Sequence, residues 1–265
     1  MVEHAVAPAG RERALAVRGH RVQIFEGGAG RPLLYLHGAG TFGWMPVHDL
    51  LARRRRVLLP VHPGFGASEG LEAIETMEDL VFRTLDVLDA LALERPDVVG
   101  LSLGGWLAAE LAVRHPGRVN RLVLVDAPGV RVPGVPMGDV FMLPPPKARA
   151  LLFHDPASAV ATALLPDAPP PERMEAVLRG REAAARLLWN PAHQYRKLTE
   201  RLWRIQAPTL VVWGADDRLI PLAYGEAWAR GIGGARLVTL DRCGHLPPLE
   251  QPERFAETAL GFLDE

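Results

Sequence analysis

The chain has 265 residues, and its 30 Lys and Arg residues are balanced by 31 Asp and Glu residues. A net charge near zero excludes the broad basic surface that binding to nucleic acid or to an acidic membrane requires. The single cysteine excludes a disulfide framework within the chain.

Apolar runs rich in Val, Ile and Leu alternate with helical patterns along most of the chain. The runs predicted as strands lie at 20–25, 33–38, 56–62, 97–102, 118–127, 208–214 and 235–240. Helices are predicted at 76–93 and 105–115, because Leu and Ala recur there at helical spacing. Most of the strand candidates are too uniformly apolar to face water on one side. The alternation therefore predicts an α/β fold with a mostly parallel, doubly wound sheet.

The alternation stops between residues 127 and 206. This segment contains half of the prolines of the chain, and strands of the parallel type resume only after it. Its apolar periodicity predicts helices at 157–165 and 172–189. We therefore predict a helical cap at 127–206, inserted into a core that is formed by 1–126 and 207–265.

The strand predicted at 97–102 ends in the sequence GLSLG at 100–104, and a helix follows it. A serine in this G-x-S-x-G pattern lies on a sharp turn that exposes its hydroxyl group, and the glycines leave room for the tight backbone. The N-terminus of the following helix favours the negative charge that develops in a reaction. The other two serines, Ser68 and Ser158, have no such surroundings. Ser102 is therefore the candidate nucleophile.

A neutral serine hydroxyl is a poor nucleophile, so it needs a base and an acid that orients the base. Both are present downstream, at the ends of two predicted strands. Asp216 and Asp217 follow the strand at 208–214, and His245 follows the next strand. Because working sites of open α/β sheets lie beyond the carboxyl ends of the strands, we expect these side chains to lie near Ser102.

Four motifs, in this order along the chain, resemble the α/β-hydrolase superfamily. They are HGAG at 37–40, GLSLGG at 100–105, GADDRLIP at 214–221 and GHLPPLEQPERF at 244–255. The resemblance extends over residues 21–264 and implies an α/β-hydrolase fold with 127–206 in the place of the cap domain. It also implies Ser102 as nucleophile, His245 as general base and later general acid, and Asp217 as the acid that orients the imidazole.

Two other aspartates are alternatives for the acid. The family spacing G-x-x-D-x-x-x-P is met by Asp217, whereas Asp216 stands one position short of it. Asp126 lies at the end of the strand predicted at 118–127, and some members of the family carry the acid after that strand. We expect Asp217 to be the acid.

A serine that attacks a carbonyl needs two N–H donors for the oxyanion that forms. The backbone N–H of Leu103 is one candidate, and the resemblance implies the N–H of Ala39 as the other. His37 is interpreted as a structural residue that pins this loop. One departure from the family lies nearby: His62 stands where relatives commonly have an aspartate in D-x-P-G-x-G-x-S. We interpret His62 as a packing residue, with a contact to the HGAG loop as the alternative.

The serine also limits the reaction. Haloalkane dehalogenases and epoxide hydrolases resemble this fold but carry aspartate at the same turn. The histidines lack the spacings of a metal site, and the glycine runs lack the context of a dinucleotide site, so we predict neither metal nor cofactor. C–C bond hydrolases often have Trp after the catalytic Gly-His, where this chain has Leu246.

The leading expectation is therefore a serine hydrolase, a carboxylesterase that cleaves a carboxylic ester or lactone through an acyl-enzyme. The alternatives are a C–C bond hydrolase, a non-hydrolytic lyase or acyltransferase, and a ligand receptor that keeps the triad. The fold alone hosts all of these functions, so it does not distinguish them. Product analysis distinguishes hydrolysis from the non-hydrolytic reactions, and burst release of an alcohol from activated esters distinguishes a hydrolase from a receptor.

We expect an apolar pocket for a small, largely apolar substrate. The candidate lining residues are Trp44, Trp106, Phe141, Leu143, Trp189 and Leu246.

No apolar run approaches the roughly 18 residues of a membrane span, and the first 20 residues lack the apolar core of a signal peptide. The chain is therefore expected to be cytoplasmic, to be a monomer or small homo-oligomer, and to bind a small molecule rather than nucleic acid or a membrane.

Overall fold

The computed structural model describes residues 10–168, 171, 174–189 and 196–265, without the side chains of Trp189 and Arg196. The strands are β1 (Arg11–Val17), β2 (His20–Gly27), β3 (Pro32–Leu36), β4 (Arg56–Pro60), β5 (Asp97–Leu101), β6 (Leu122–Val125), β7 (Thr209–Gly214) and β8 (Arg236–Leu240). The helices are α1 (Pro46–Ala52), α2 (Met77–Ala90), α3 (Leu103–Arg114), α4 (Pro145–Leu152), α5 (Ala159–Leu164), α6 (Met174–Trp189), α7 (Arg196–Thr199), α8 (Ala223–Gly231), α9 (Pro247–Glu250) and α10 (Pro252–Leu263).

The described strands form one sheet in the order β1-β2-β4-β3-β5-β6-β7-β8. The ladders from β4 to β8 are parallel, whereas β1 and β2 form an antiparallel hairpin that joins β4. The hairpin turns at Arg18 and Gly19, which have φ angles of 48° and 83°. Two positive φ angles are typical of a tight hairpin turn. The predicted α/β fold with a mostly parallel sheet is therefore confirmed.

Helices cover the central strands, which explains their uniform apolar sequence. β5, β6 and β7 are buried at every residue. Helix α3 packs on β3, β5 and β6 and also contacts α2, while α1 contacts β4 and α10, and α8 contacts β7 and β8. Because β5, β6, β7 and β8 are parallel, the carboxyl ends of β5, β7 and β8 lie at the same end of the sheet. The loops that follow these strands meet there.

We call residues 127–206, between β6 and β7, the cap segment. Its described residues form helices α4, α5, α6 and α7 and no strand. Helix α5 lies within the range predicted as helical at 157–165. The helix predicted at 172–189 is α6, whose first described residue is Met174, and its two preceding residues lie outside the described part of the chain. In the described part of the chain, no helix has the length and apolarity that crossing a bilayer would need.

Candidate active site

Ser102 lies on the sharp turn between β5 and α3. Its backbone has φ 50° and ψ −118°, and its N–H donates to Val125 O at 2.8 Å. The neighbouring glycines are required by the space available: a Cβ on Gly104 would lie 2.0 Å from Leu36 O, and one on Gly100 would lie 2.4 Å from Gly104 O. The G-x-S-x-G pattern thus lets α3 approach the sheet closely. It also holds the backbone of Ser102 at a positive φ angle that residues other than glycine rarely adopt.

Two further strand ends bring an imidazole and a carboxylate to Ser102. His245 Nε2 lies 2.9 Å from Ser102 Oγ, and His245 Nδ1 lies 2.8 Å from Asp217 Oδ2. With the Nδ1 proton donated to the carboxylate, Nε2 is free of a proton and can accept the serine hydroxyl hydrogen. The other oxygen of Asp217 accepts from the N–H groups of Leu219 and Ile220 at 2.9 and 2.8 Å. The arrangement can activate a serine hydroxyl group.

The two alternative aspartates are placed differently. The carboxylate of Asp216 points away from the imidazole and lies 2.6 Å from Nδ1 of His154, in the cap segment. Asp126 is fully buried, and its Oδ1 accepts from the N–H of Gly214 at 3.0 Å. Asp217 is thus the aspartate for which the structure records a hydrogen bond with His245. The spacing of the motif, rather than adjacency in sequence, predicted this contact correctly.

The HGAG loop lies beside the serine. Gly38, Ala39 and Gly40 line the same cavity as Ser102, and a Cβ on Gly38 would lie 3.4 Å from Ser102 Cβ. The N–H of Gly38 is used within the loop, since it donates to Thr41 Oγ1 at 3.0 Å. Leu103, the other predicted donor, is the first residue of α3. Both residues therefore lie next to the serine, and their role as oxyanion donors remains a prediction.

Two histidines, whose ring centroids lie 3.9 Å apart, are hydrogen-bonded at this loop. The backbone N–H of His62 donates to His37 Nε2 at 2.9 Å, and His62 Nε2 donates to His37 O at 3.0 Å. His37 Nδ1 in turn donates to Gly38 O at 2.7 Å. Burial lowers the pKa of His62 to about 4 and that of His37 well below its usual value, so both rings are neutral. Packing alone is therefore an incomplete account of His62, because it also bonds the HGAG loop.

A cavity of about 450 Å³ opens above Ser102, between the core and the cap segment. Two of the predicted lining residues, Phe141 and Leu246, do line it, and other apolar lining residues are Phe42, Met137, Val140, Leu152, Leu164, Leu188, Leu219 and Ile220. Arg181 also lines the cavity, on the face of α6 that carries Val177, Ala184 and Leu188. Sequence analysis missed these residues, although their spacing of three and four positions is the signal of one helical face.

Three other predicted lining residues, Trp44, Trp106 and Leu143, are absent from the described lining, and the prediction is corrected for them. Trp106 is fully buried beneath the turn, where its Nε1 donates to Glu110 at 3.3 Å. Trp44 donates to Asp49 Oδ1 at 2.8 Å and packs beside the hairpin rather than over the serine. Leu143 is half-buried elsewhere on the cap segment. The side chain of Trp189 lies outside the described part of the structure.

Asp126, Asp217 and His245 are residue types that also ligate metals, and each offers a polar atom within 4.8 Å of the others. The hydrogen bonds do not suit coordination, however. Both ring nitrogens of His245 and both oxygens of Asp217 already have partners within the protein. The recorded hydrogen bonds instead run from the carboxylate of Asp217 through the ring of His245 to Ser102 Oγ.

Comparison with known proteins agrees with this geometry. The profile of the Alpha/beta hydrolase family matches residues 33–258, and the chain belongs to this family. The chain is 34% identical to 2-hydroxymuconate semialdehyde hydrolase of Pseudomonas sp. (strain CF600), over 96% of this chain and 94% of that protein. It is 31% identical to 2-hydroxy-6-oxo-6-phenylhexa-2,4-dienoate hydrolase of Comamonas testosteroni, over 90% and 89%. A solved serine hydrolase involved in carbazole degradation superposes with a TM-score of 0.79 at 25% identity, over 97% and 99%.

These relatives overturn the expectation of an ester or lactone hydrolase. Their named substrates are hydroxy-oxo-dienoates, in which the hydrolysed bond is a C–C bond beside a carbonyl group. The alternative reaction, C–C bond hydrolysis, agrees with them better. Leu246 in place of the Trp that often follows the catalytic Gly-His misled the sequence analysis, because one residue beside the base does not define the reaction.

Proposed function

We propose that the protein is a C–C bond hydrolase that acts on 2-hydroxy-6-oxo-2,4-dienoates, the class of compound for which its relatives are named. The observation that carries the proposal is the character of the cavity above Ser102. Its described lining is mostly apolar and contains one permanently charged side chain, that of Arg181. Such a cavity suits a molecule with a carboxylate at one end and an apolar group at the other.

The chemistry of these compounds defines what the site must do. A 2-hydroxy-6-oxo-dienoate first ketonises, as the proton of the C2 hydroxyl group moves to C5. A nucleophile then adds to the C6 carbonyl, and the bond between C5 and C6 breaks. Its electron pair is delocalised through the C3–C4 double bond onto the C2 oxygen. Water supplies the OH of the new carboxylic acid at C6, and its hydrogen goes to the hydroxydienoate fragment.

The three hydrogen-bonded side chains are assigned to these steps. Ser102 Oγ attacks C6 while His245 Nε2 takes its proton, and Asp217 stabilises the imidazolium that results. His245 then returns the proton to the departing dienolate. The N–H groups of Ala39 and Leu103 stabilise the oxyanion on C6. Water hydrolyses the acyl-Ser102 ester in the same way, and His245 again serves as base.

Arg181 is assigned to the C1 carboxylate. A guanidinium group binds a carboxylate through two parallel hydrogen bonds, so it fixes orientation as well as charge. The apolar remainder of the cavity, which includes Phe42, Phe141 and Leu188, is left for the substituent on C6. We therefore propose that apolar C6 substituents such as phenyl or methyl are preferred to a second carboxylate.

The test compares 6-phenyl, 6-methyl and 6-carboxyethyl dienoates by the loss of their dienolate absorbance. We expect catalysis with the first two and a much lower kcat/KM with the third. Arg181→Gln is expected to raise KM for the 6-phenyl compound by roughly 2- to 5-fold, because Arg181 is exposed and an exposed ion pair contributes up to about 1 kcal/mol. Arg179→Gln is the matched control, because Arg179 is exposed on the same helix as Arg181 but lies outside the cavity lining. Equal effects of the two substitutions, or no turnover of any dienoate, would contradict the proposal.

A further inference from the structure

Asp126 is a buried acid beside the site that the mechanism above does not use. It follows β6, its backbone φ is 43°, and its side chain has no exposed surface. A carboxyl oxygen of Asp126, one of Asp217 and a ring nitrogen of His245 all lie within 4.8 Å of one another. A carboxyl group held in this conformation, against the acid of the triad, is an unusual feature for a residue without a function.

The hydrogen bonds of Asp126 are incomplete if it is ionised. Its Oδ1 accepts from the N–H of Gly214, but its Oδ2 is buried and has no hydrogen-bond partner among the described residues. A carboxyl oxygen of Asp217 lies within 4.8 Å of one of Asp126, but an ionised carboxylate is only an acceptor. A buried acceptor without a donor is costly, and two carboxylates this close disfavour each other's ionised form.

Asp217 and Asp126 differ in the number of N–H groups that donate hydrogen bonds to their carboxyl oxygens. Asp217 has three N–H donors, those of Leu219, Ile220 and His245, and each favours its charged form. Among the described residues, the structure records a single donor to the Asp126 carboxyl group, the N–H of Gly214. Burial, and then the neighbouring Asp217 carboxylate, raise the pKa of Asp126 well above its usual value. A proton between the two carboxyl groups is therefore favoured on Asp126.

We propose that Asp126 is a positioning residue of the triad: its protonated carboxyl group donates a hydrogen bond from Oδ2 to the carboxylate of Asp217. This bond gives the buried Oδ2 of Asp126 a hydrogen-bond partner. It also gives the Asp217 carboxylate a donor that follows β6 and is not part of the loop after β7. The carboxylate is thereby fixed at the angle from which it orients the ring of His245. The inference rests on the triad assigned under the proposed function, but not on the identity of the substrate.

The surroundings of Asp126 keep the proton in place. The titratable groups around it, among the described residues, are Asp217, His245, Cys243 and Glu250. None of them is a permanent cation that would favour an ionised Asp126. Burial raises the pKa of the Cys243 thiol, so that group adds no charge at neutral pH. No permanent positive charge among these groups opposes the protonated form of Asp126.

The experiment compares Asp126→Asn with Asp126→Leu. An Asn side chain can accept from Gly214 through its oxygen and donate to Asp217 through its amide, as the protonated acid does, whereas Leu fills similar space without a donor. The readout is the rate at which an aryl phosphonate labels Ser102, which depends on the triad and not on a natural substrate. We expect the Leu variant to react roughly tenfold or more slowly than the Asn variant, the cost of one unpaired buried group. Val123→Ala, on the same buried strand, controls for lost stability alone.

Infrared spectroscopy supplies a measurement that does not depend on folding of the Leu variant. The wild-type protein at neutral pH should show a carbonyl band of a buried protonated carboxyl group, and Asp126→Asn should remove it. Retention of the same band in the Asn variant, or equal labelling rates for the Asn and Leu variants, would overturn the proposal. A wild-type protein whose Ser102 is not labelled would instead refute the triad, and one that is labelled but inert towards dienoates would refute only the proposed substrate.

Discussion

Ser102 combines a strained backbone with a hydrogen bond from its side chain, and both follow from its place on the turn. A non-glycine residue at φ 50° and ψ −118° costs on the order of 1–3 kcal/mol. The close approach of α3 to the sheet at Gly104 maintains this conformation. The strained backbone conformation directs Ser102 Oγ towards Nε2 of His245. The conformation that positions the reactive hydroxyl group therefore lowers the stability of the folded protein.

That opposition gives a prediction for two substitutions. Ser102→Ala and Ser102→Gly both remove the hydroxyl group and should lower hydrolysis by roughly 10⁴-fold or more. Glycine adopts positive φ without penalty, so Ser102→Gly alone should raise the free energy of unfolding, by about 1 kcal/mol. Urea unfolding of the two variants checks this difference. If Ser102→Gly proves no more stable than Ser102→Ala, the backbone is not strained as described.

The adjacent aspartates allow a second test at this scale. Asp217→Asn keeps the shape of the side chain but favours the wrong tautomer of His245, so kcat should fall by about 10³- to 10⁴-fold. Asp216 pairs with His154 in a half-exposed position, and Asp216→Asn should change kcat by less than about tenfold. Similar losses of kcat in both variants would mean that the loop, rather than one carboxylate, was disturbed.

The residues of the site were predictable where a motif fixes their spacing. Ser102 and His245 each follow a strand in a recognisable pattern, and the count from Gly214 distinguished Asp217 from Asp216. Spacing along the chain could not show that Trp106, one helical turn after the serine, points into the core. Nor could it show that Asp126 lies against Asp217, since that contact depends on the register between β6 and β7.

Most strands could be predicted from the sequence because both of their faces are buried. The partly exposed strand β1 could not be predicted in this way. β5, β6 and β7 are continuous apolar runs. β1 was missed because it is an edge strand with an alternating, partly exposed sequence. α4 was missed because consecutive prolines suggest an interruption. Here they occupy the first turn of the helix, where no N–H is needed for an intrahelical bond.

The contact between α3 and β3 gives a prediction for the elements. Gly104→Ala would place a Cβ 2.0 Å from the Leu36 carbonyl oxygen, so the helix must move away from the sheet. We expect a loss of about 3 kcal/mol or more in the free energy of unfolding, with loss of activity. Gly261→Ala is the control in α10: outside the backbone of its own helix and its chain neighbours, no atom of the described residues lies within 4 Å of its added Cβ. That variant should instead be stabilised by about 0.5–1 kcal/mol, and thermal unfolding measures both.

For the whole molecule, the buried histidines determine how stability depends on pH. Burial lowers the pKa of His62 to about 4, that of His48 to about 3, and that of His37 well below its usual value. These rings stay neutral in the folded protein but bind protons in the unfolded chain below about pH 6.5. The free energy of unfolding therefore falls as the pH drops through this range. Protonated Asp126 has the opposite sign and offsets part of the loss.

His62→Asn isolates one of these contributions. Each such histidine costs about 1.4 kcal/mol per pH unit between the unfolded and folded pKa values. From pH 6.5 to 5, the wild-type protein should therefore lose about 2 kcal/mol more stability than the variant. Urea unfolding at the two pH values gives the comparison. An identical loss in both proteins would show that His62 is not held neutral by the fold.

The products formed from one compound decide whether this triad breaks a C–C bond. The purified protein is incubated with 2-hydroxy-6-oxo-6-phenylhexa-2,4-dienoate, and the products are identified by mass spectrometry, with Ser102→Ala as control. The account predicts benzoic acid and a five-carbon 2-hydroxydienoate in equal amounts from the wild-type protein and neither from the variant. Recovery of intact dienoate from a protein whose Ser102 reacts readily with an aryl phosphonate would contradict it.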